Sequence, residues 1–155
     1  TVSTSGVVPG IEKLADYKKQ IRLSVSLHSA FDEKRDALAP INRKYRLNAL
    51  IKAIKGYIAK TSRPVTFEYV LIKGLNDTKE DISGLVRLLK GIDCKINLIP
   101  YNRIEGLDFK QPSASDVEEF ADNLVKNRIK VIRRQRKGFD INSGCGQLKA
   151  SWVDN

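Results

Sequence analysis

Residues 65–72 read VTFEYVLI, a run rich in β-branched and aromatic side chains with one charge, Glu68. Such a composition predicts a strand. Its apolar residues fall on both faces, as in a parallel strand covered on both sides. Immediately upstream, Leu47, Leu50, Ile51, Ile54, Tyr57 and Ile58 recur at helical spacing, and Arg63-Pro64 closes the pattern. Downstream, Gly74 and Asn76-Asp77 make a turn, Ile82, Leu85, Val86 and Leu89 share a helical face, and KINLIP (95–100) is a second strand. Further out, Ile21 to Leu27 is a buried strand, residues 10–19 a short helix, and residues 1–5 a strand closed by Gly6 and a turn at Pro9-Gly10. Residues 29–46 are polar, are broken by Pro40, and form a connection containing a helical turn. Towards the other end, Ser113 or Ser115 caps a helix, Ser115 with Glu118 fitting a capping box. Val117, Phe120, Ala121, Leu124 and Val125 form its inner face, and Ile129 to Ile132 opens a last strand. Strand–helix alternation of this kind predicts an α/β fold with parallel strands and outer helices.

Composition bounds the function. A chain of 155 residues with 41% hydrophobic content has the size and core of one domain. The 28 Lys+Arg against 18 Asp+Glu leave +10, which suits a polyanionic partner or solubility alone. No apolar run approaches the roughly 18 residues of a membrane helix. Thr1 to Gly10 has neither the basic start nor the apolar middle of a signal peptide. These two features lead to the expectation of a cytoplasmic protein with no membrane partner. Cys94 and Cys145 are too few for a disulfide scaffold or a four-ligand zinc site, and the single histidine, His28, excludes a multi-histidine metal centre within this chain. The chain has no Met and starts abruptly with TVSTSG, so a fragment of a longer protein is expected.

In parallel α/β folds, ligands sit beyond the carboxyl ends of the strands. Those ends carry Ser3-Thr4-Ser5-Gly6, Ser26-Leu27-His28, Lys73-Gly74 and Pro100-Tyr101-Asn102. Small hydroxyl and amide groups there suit a polar organic ligand with an adenine, ribose or amino-acid portion. Ordinary strand-end turns use the same residues.

Five segments carry a resemblance: VSTSGVVPGI (2–11), SVSLHSAFDEKRDALAPINRKY (24–45), FEYVLIKGLND (67–77), CKINLIPYN (94–102) and DINSGCGQL (140–148). In this order and spacing they resemble the RlmN/Cfr family of radical S-adenosylmethionine RNA methyltransferases, over essentially the whole chain. The resemblance implies a partial (β/α)6 radical SAM barrel, of which residues 1–155 are the C-terminal portion from the third barrel strand onward. Residues 138–155 then form the carrier-cysteine loop and tail. The family's cluster motif, Cys-x3-Cys-x2-Cys, is not in this sequence. The four-iron cluster of the complete enzyme would therefore take its ligands from elsewhere, and this chain alone should not turn over.

The resemblance assigns roles residue by residue. Ser3 matches a cofactor-contacting serine on the third strand. Ser26, Leu27 and His28 match the Ser-Leu-His that lines the same site, and Asn102 an asparagine that holds the polar end of S-adenosylmethionine. Cys145 matches the cysteine that is methylated and then carries the methyl group. The implied activity is methylation of C2 of an adenosine in large-subunit ribosomal RNA, with transfer RNA as a further substrate and an electron donor for the cluster. A C8 methyltransferase and a non-catalytic RNA-binding module are the competing readings. Phe139 and Ser143-Gly144 depart from the family pattern near the carrier cysteine.

Other residues are read on their own chemistry. Gly144 and Gly146 flank Cys145 and allow its thiol to move. Cys94 reads as a small buried hydrophobe, not a partner for Cys145. Glu68 can contact a ribose or base, or pair with a buried Arg or Lys; both remain open. The basic segment 128–138 places Arg133, Arg134 and Arg136 beside the carrier loop, as candidate phosphate contacts. Loss of the first barrel strands would expose a sheet edge, from which self-association is expected.

Overall fold

The computed structural model describes residues 1–17, 20–104 and 106–133. Five strands, β1 (Val2–Thr4), β2 (Leu23–Ser26), β3 (Val65–Leu71), β4 (Cys94–Pro100) and β5 (Lys130–Arg133), lie side by side in chain order. Every neighbouring pair is parallel. The crossovers carry α1 (Val8–Ala15), α2 (Asp32–Leu38), a 3-10 turn (Pro40–Arg43), α3 (Leu47–Thr61), α4 (Lys79–Leu88) and α5 (Ala114–Lys126). When each parallel strand pairs with the next in the chain and crossovers share one hand, all helices fall on one face of the sheet. The core agrees. Leu23, Val25, Phe67, Tyr69, Leu71, Ile96 and Leu98 join Ile11, Leu50, Ile54, Leu85, Phe120 and Leu124 in one cluster.

This arrangement corrects the reading of residues 65–72. Burial along β3 alternates: Val65, Phe67, Tyr69 and Leu71 are buried, while Thr66, Glu68 and Val70 are half-buried. Among the described residues only one face is covered by helices, and the other presents polar groups. The polar connection 29–46 is more ordered than its composition suggests, folding into α2 and the 3-10 turn.

Two helix starts and one helix face also differ. Pro9-Gly10 is not a turn but part of α1, where proline is tolerated because the first N–H groups of a helix lack intrahelical partners. The Thr4 hydroxyl accepts from the Gly6 and Val7 N–H groups just before that helix. For α5 the cap is Ser113, and the reciprocal acid is Asp116 rather than Glu118. Val125 is 49% exposed, leaving Val117, Phe120, Ala121 and Leu124 as the buried face.

Helix α4 approaches the segment that leads into α2 closely because Gly84 has no side chain. A Cβ there would lie 2.8 Å from Phe31 Cζ and 3.2 Å from Ala30 Cβ. Gly56, on α3, has nothing within 4 Å. Alanine is favoured over glycine in a helix by about 1 kcal/mol, whereas forcing atoms into a packed contact costs about 1–3 kcal/mol. Gly56→Ala should therefore raise the urea midpoint and Gly84→Ala should lower it. Two shifts of the same sign would contradict the packing described.

Candidate functional site at the strand carboxyl ends

Strand register sets out the polar face row by row. Ser3, Ser24, Thr66, Lys95 and Lys130 lie in one row, and Ser26, Glu68, Asn97 and Ile132 in another. Glu68 accepts hydrogen bonds from Ser24 Oγ at 2.7 Å and Asn97 Nδ2 at 2.6 Å. Among the described residues its carboxylate is thus held by two neutral donors on the strands either side, and not by an Arg or Lys.

Beyond the last ladder bonds, backbone carbonyls of parallel strands need other donors. Here buried side chains supply them. Arg35, fully buried on α2, donates from Nη2 to Ser5 O at 2.6 Å and Ser26 O at 3.0 Å, and from Nε to Leu27 O at 3.1 Å. Its Nη1 donates to Asn42 Oδ1 at 2.8 Å. Asn42 Nδ2 in turn donates to Asp32 Oδ1 and Asp36 Oδ1, and Asp32 Oδ1 also accepts from the Leu47 N–H at the start of α3. Burial draws the Arg35 pKa down and the two aspartates push it back up. An arginine so placed keeps its charge.

The next carbonyl, His28 O, accepts from Asn76 Nδ2 at 2.8 Å. Asn76 is fully buried and also donates to Val70 O, while its Oδ1 accepts from the Ile72 N–H. These bonds hold His28 at φ 58°, a left-handed conformation uncommon for a residue with a side chain. The Val70 N–H donates to His28 Nδ1 at 3.2 Å, which places the imidazole proton on Nε2. Burial, reinforced by the Arg35 charge, lowers the His28 pKa to about 4. The ring is therefore neutral at pH 7 and offers one N–H donor.

Four of the residues singled out in the sequence lie on strands or at their carboxyl ends. Ser3 is exposed on β1, Ser26 and His28 are half-buried, and Asn102 is exposed two residues past β4. Asn102 follows Tyr101, whose N–H donates to Leu71 O and extends the β3–β4 pairing. Leu27 differs. Its side chain is fully buried in the core under the helices, so only its backbone can belong to a site on the polar face. Arg133 pairs with Glu118 at 2.8 Å and with Asp122, both on α5, so its charge is largely answered within the fold. Arg134, Arg136 and Cys145, with the 138–155 loop, lie outside the described residues. Cys94 sits at the other end of the sheet, at the start of β4, where burial and Asp93 push its thiol up to about 11.

Sequence alone does not single out Arg35, Asn42 and Asn76. All three are polar residues in polar or turn-like stretches, and only the tertiary fold buries them. Their one visible signal is membership of the segments 24–45 and 67–77.

The radical SAM superfamily profile matches residues 1–89, more than half of the chain. The chain belongs to the radical SAM superfamily. It is 50% identical over 149 residues to a probable dual-specificity RNA methyltransferase RlmN of Akkermansia muciniphila, covering 96% of this chain and 42% of that protein. It is 47% identical over 150 residues to the dual-specificity RNA methyltransferase RlmN of Anaeromyxobacter dehalogenans, covering 97% of this chain and 40% of that protein. A crystal structure of a radical SAM methyltransferase from Sphaerobacter thermophilus superposes with a TM-score of 0.90 at 43% identity, covering 94% of this chain and 42% of the other. The chain thus spans less than half the length of these relatives. No helix among the described residues is long and apolar enough to cross a membrane.

The neutral imidazole predicts a pH dependence. The unfolded chain binds a proton at His28 below about pH 6.5, while the folded chain resists it down to about 4. This group's contribution to stability is complete above pH 6.5 and is lost as pH falls towards 4, by up to about 1.4 kcal/mol per pH unit. Asparagine tolerates positive φ, so His28→Asn should keep the backbone and flatten this slope. Urea titrations at pH 7, 6 and 5 check it, and an unchanged slope would refute the assignment.

Proposed function

We propose that this chain forms the cofactor-facing C-terminal portion, from the third strand onward, of the barrel of a radical S-adenosylmethionine RNA methyltransferase. In this reading the complete enzyme methylates C2 of an adenosine in large-subunit ribosomal RNA, and also acts on transfer RNA. The observation that carries it is identity of 43–50% to RlmN proteins and a radical SAM methyltransferase over nearly the whole chain. The strand-end chemistry supports it. Ser3, Ser26 and Asn102 supply hydroxyl and amide groups, and neutral His28 supplies an N–H donor. These suit the ribose, adenine and amino-acid portions of S-adenosylmethionine, which they would hold. When bound, the cofactor supplies the methyl group and the radical chemistry.

The iron–sulfur cluster is a different matter. Among the described residues no group of three or more His, Cys, Asp or Glu can hold a metal ion. The sequence has only two cysteines, and Cys94 lies at the amino end of β4. The residues of this chain do not fit a four-iron cluster, which needs at least three thiolates of suitable spacing.

Within the same proposal Cys145 is the methyl carrier. An amidine carbon of adenine is electron-poor and not nucleophilic, so direct polar methylation fails there. A thioether holds a methyl group stably until it is activated. Arg134 and Arg136 remain candidates for phosphate contact, whereas the pairing of Arg133 with α5 argues for a structural use. An electron donor and a cytoplasmic setting belong to the same reading.

Expression of the full-length gene product with its cluster tests it. Intact-peptide mass spectrometry should find one added methyl group on Cys145, and the RNA should carry 2-methyladenosine. Cys145→Ala should lose both while still binding S-adenosylmethionine. A wild-type protein that modifies RNA without ever methylating Cys145 would sink the carrier role, and a product methylated at C8 would replace the C2 assignment.

A further inference from the structure

We propose that Arg35 is a positioning residue for the S-adenosylmethionine site, its buried guanidinium fixing the end of β1 against the Ser26–Leu27–His28 segment. The inference rests on the cofactor reading given above and names the device that shapes that site. Ser26 O, Leu27 O and His28 O each accept from a side chain outside the strand ladder: Nη2 of Arg35, Nε of Arg35, and Nδ2 of Asn76. The first two also tie this segment to β1, because the same Nη2 donates to Ser5 O at 2.6 Å. One rigid, planar fork therefore sets the spacing between the strand that displays Ser3 and the segment that displays Ser26 and His28.

The neighbouring residue is built around this fork. Gly6 has φ 117°, and a Cβ on it would lie 2.9 Å from Arg35 Nη2. A residue with a side chain at position 6 would press on the guanidinium as well as strain its own backbone. On its far side the fork is held by Asn42, which is itself anchored by Asp32 and Asp36. The guanidinium is thus fixed from three directions, and Arg35 has no route to a ligand itself. It acts through the carbonyl groups that it holds.

Arginine is required for this because of its shape. Lysine keeps the charge, but it presents one ammonium centre and cannot replace the three separate nitrogens that serve Ser5 O, Ser26 O, Leu27 O and Asn42 Oδ1. If Arg35 merely stabilises the fold, loss of the fork should lower the melting temperature and leave ligand affinities in the folded protein unchanged. If it positions the site, a folded variant should lose affinity for the cofactor and retain affinity for the RNA.

The experiment uses the full-length gene product carrying its cluster, with Arg35→Lys and Gly6→Ala as separate variants. Circular-dichroism melts establish a temperature at which each variant is folded. At that temperature calorimetry measures the Kd for S-adenosylmethionine, and steady-state assays measure KM for each substrate separately. We expect the Kd and the KM for S-adenosylmethionine to rise tenfold or more in both variants, with the KM for RNA within twofold of wild type. A folded variant with wild-type cofactor affinity overturns the proposal, as does an equal loss for both substrates. Failure of both variants to fold assigns Arg35 to stability alone and overturns it too. Wild-type protein that binds no S-adenosylmethionine would instead remove the cofactor reading itself, and this inference with it.

Discussion

A single buried guanidinium organises the carboxyl end of the sheet. Arg35 is fully buried, yet its charge is not stranded. Three backbone carbonyls and the Asn42 amide take its donors, and two aspartates lie behind that amide. A buried ion is tolerated only under such conditions, since desolvating a charge without partners costs several kcal/mol. The same network reaches the first turn of α3 through Asp32 and Leu47. Loss of any member leaves the others with unmet polar atoms in a place water does not easily reach.

Asn76 has the matching role at the next strand, joining the end of β2 to β3. Helix α4 is held over this region by the Lys34–Asp81 ion pair, in which Asp81 is almost completely buried, and by the close contact of Gly84 with Phe31. Asp81 also closes the capping box with Thr78 at the start of that helix. The outer shell thus sets where the strand ends stand, and the polar face receives its geometry from behind.

Much of this was legible in the sequence. Alternation of β-branched runs with 3.6-residue periodicity identified the parallel α/β order, and the Leu47–Ile58 pattern corresponds to α3. What failed did so for physical reasons. Periodicity cannot distinguish a strand covered on two faces from one covered on a single face when Val70 and Ile72 sit among larger apolar residues. The Ser115–Glu118 pair matched a capping pattern, but Ser113 and Asp116 satisfy the orphan N–H groups because the helix starts slightly earlier. Arg35 and Asn42 lie in a polar stretch, and their burial follows from hydrogen bonds that only the folded chain assembles, to the ends of two strands and to Asp32 and Asp36. That Ser3, Ser26, His28 and Asn102 lie on strands or at their carboxyl ends is readable from the sequence, whereas the buried groups that hold those ends are not.

The order of the strands has a kinetic meaning. Because each strand pairs with its successor in the chain, β–α units can dock one after another as the polypeptide leaves the ribosome, without waiting for a distant partner. The arginine fork spans 30 residues, from Ser5 to Arg35, and the asparagine clamp spans 48, from His28 to Asn76. The fork's groups are therefore all synthesised by residue 42, well before β3 exists, and the histidine segment acquires its final shape only when the turn after β3 has emerged. Assembly of this end of the molecule is thus a relay in which each buried polar clamp seals the strand made before it.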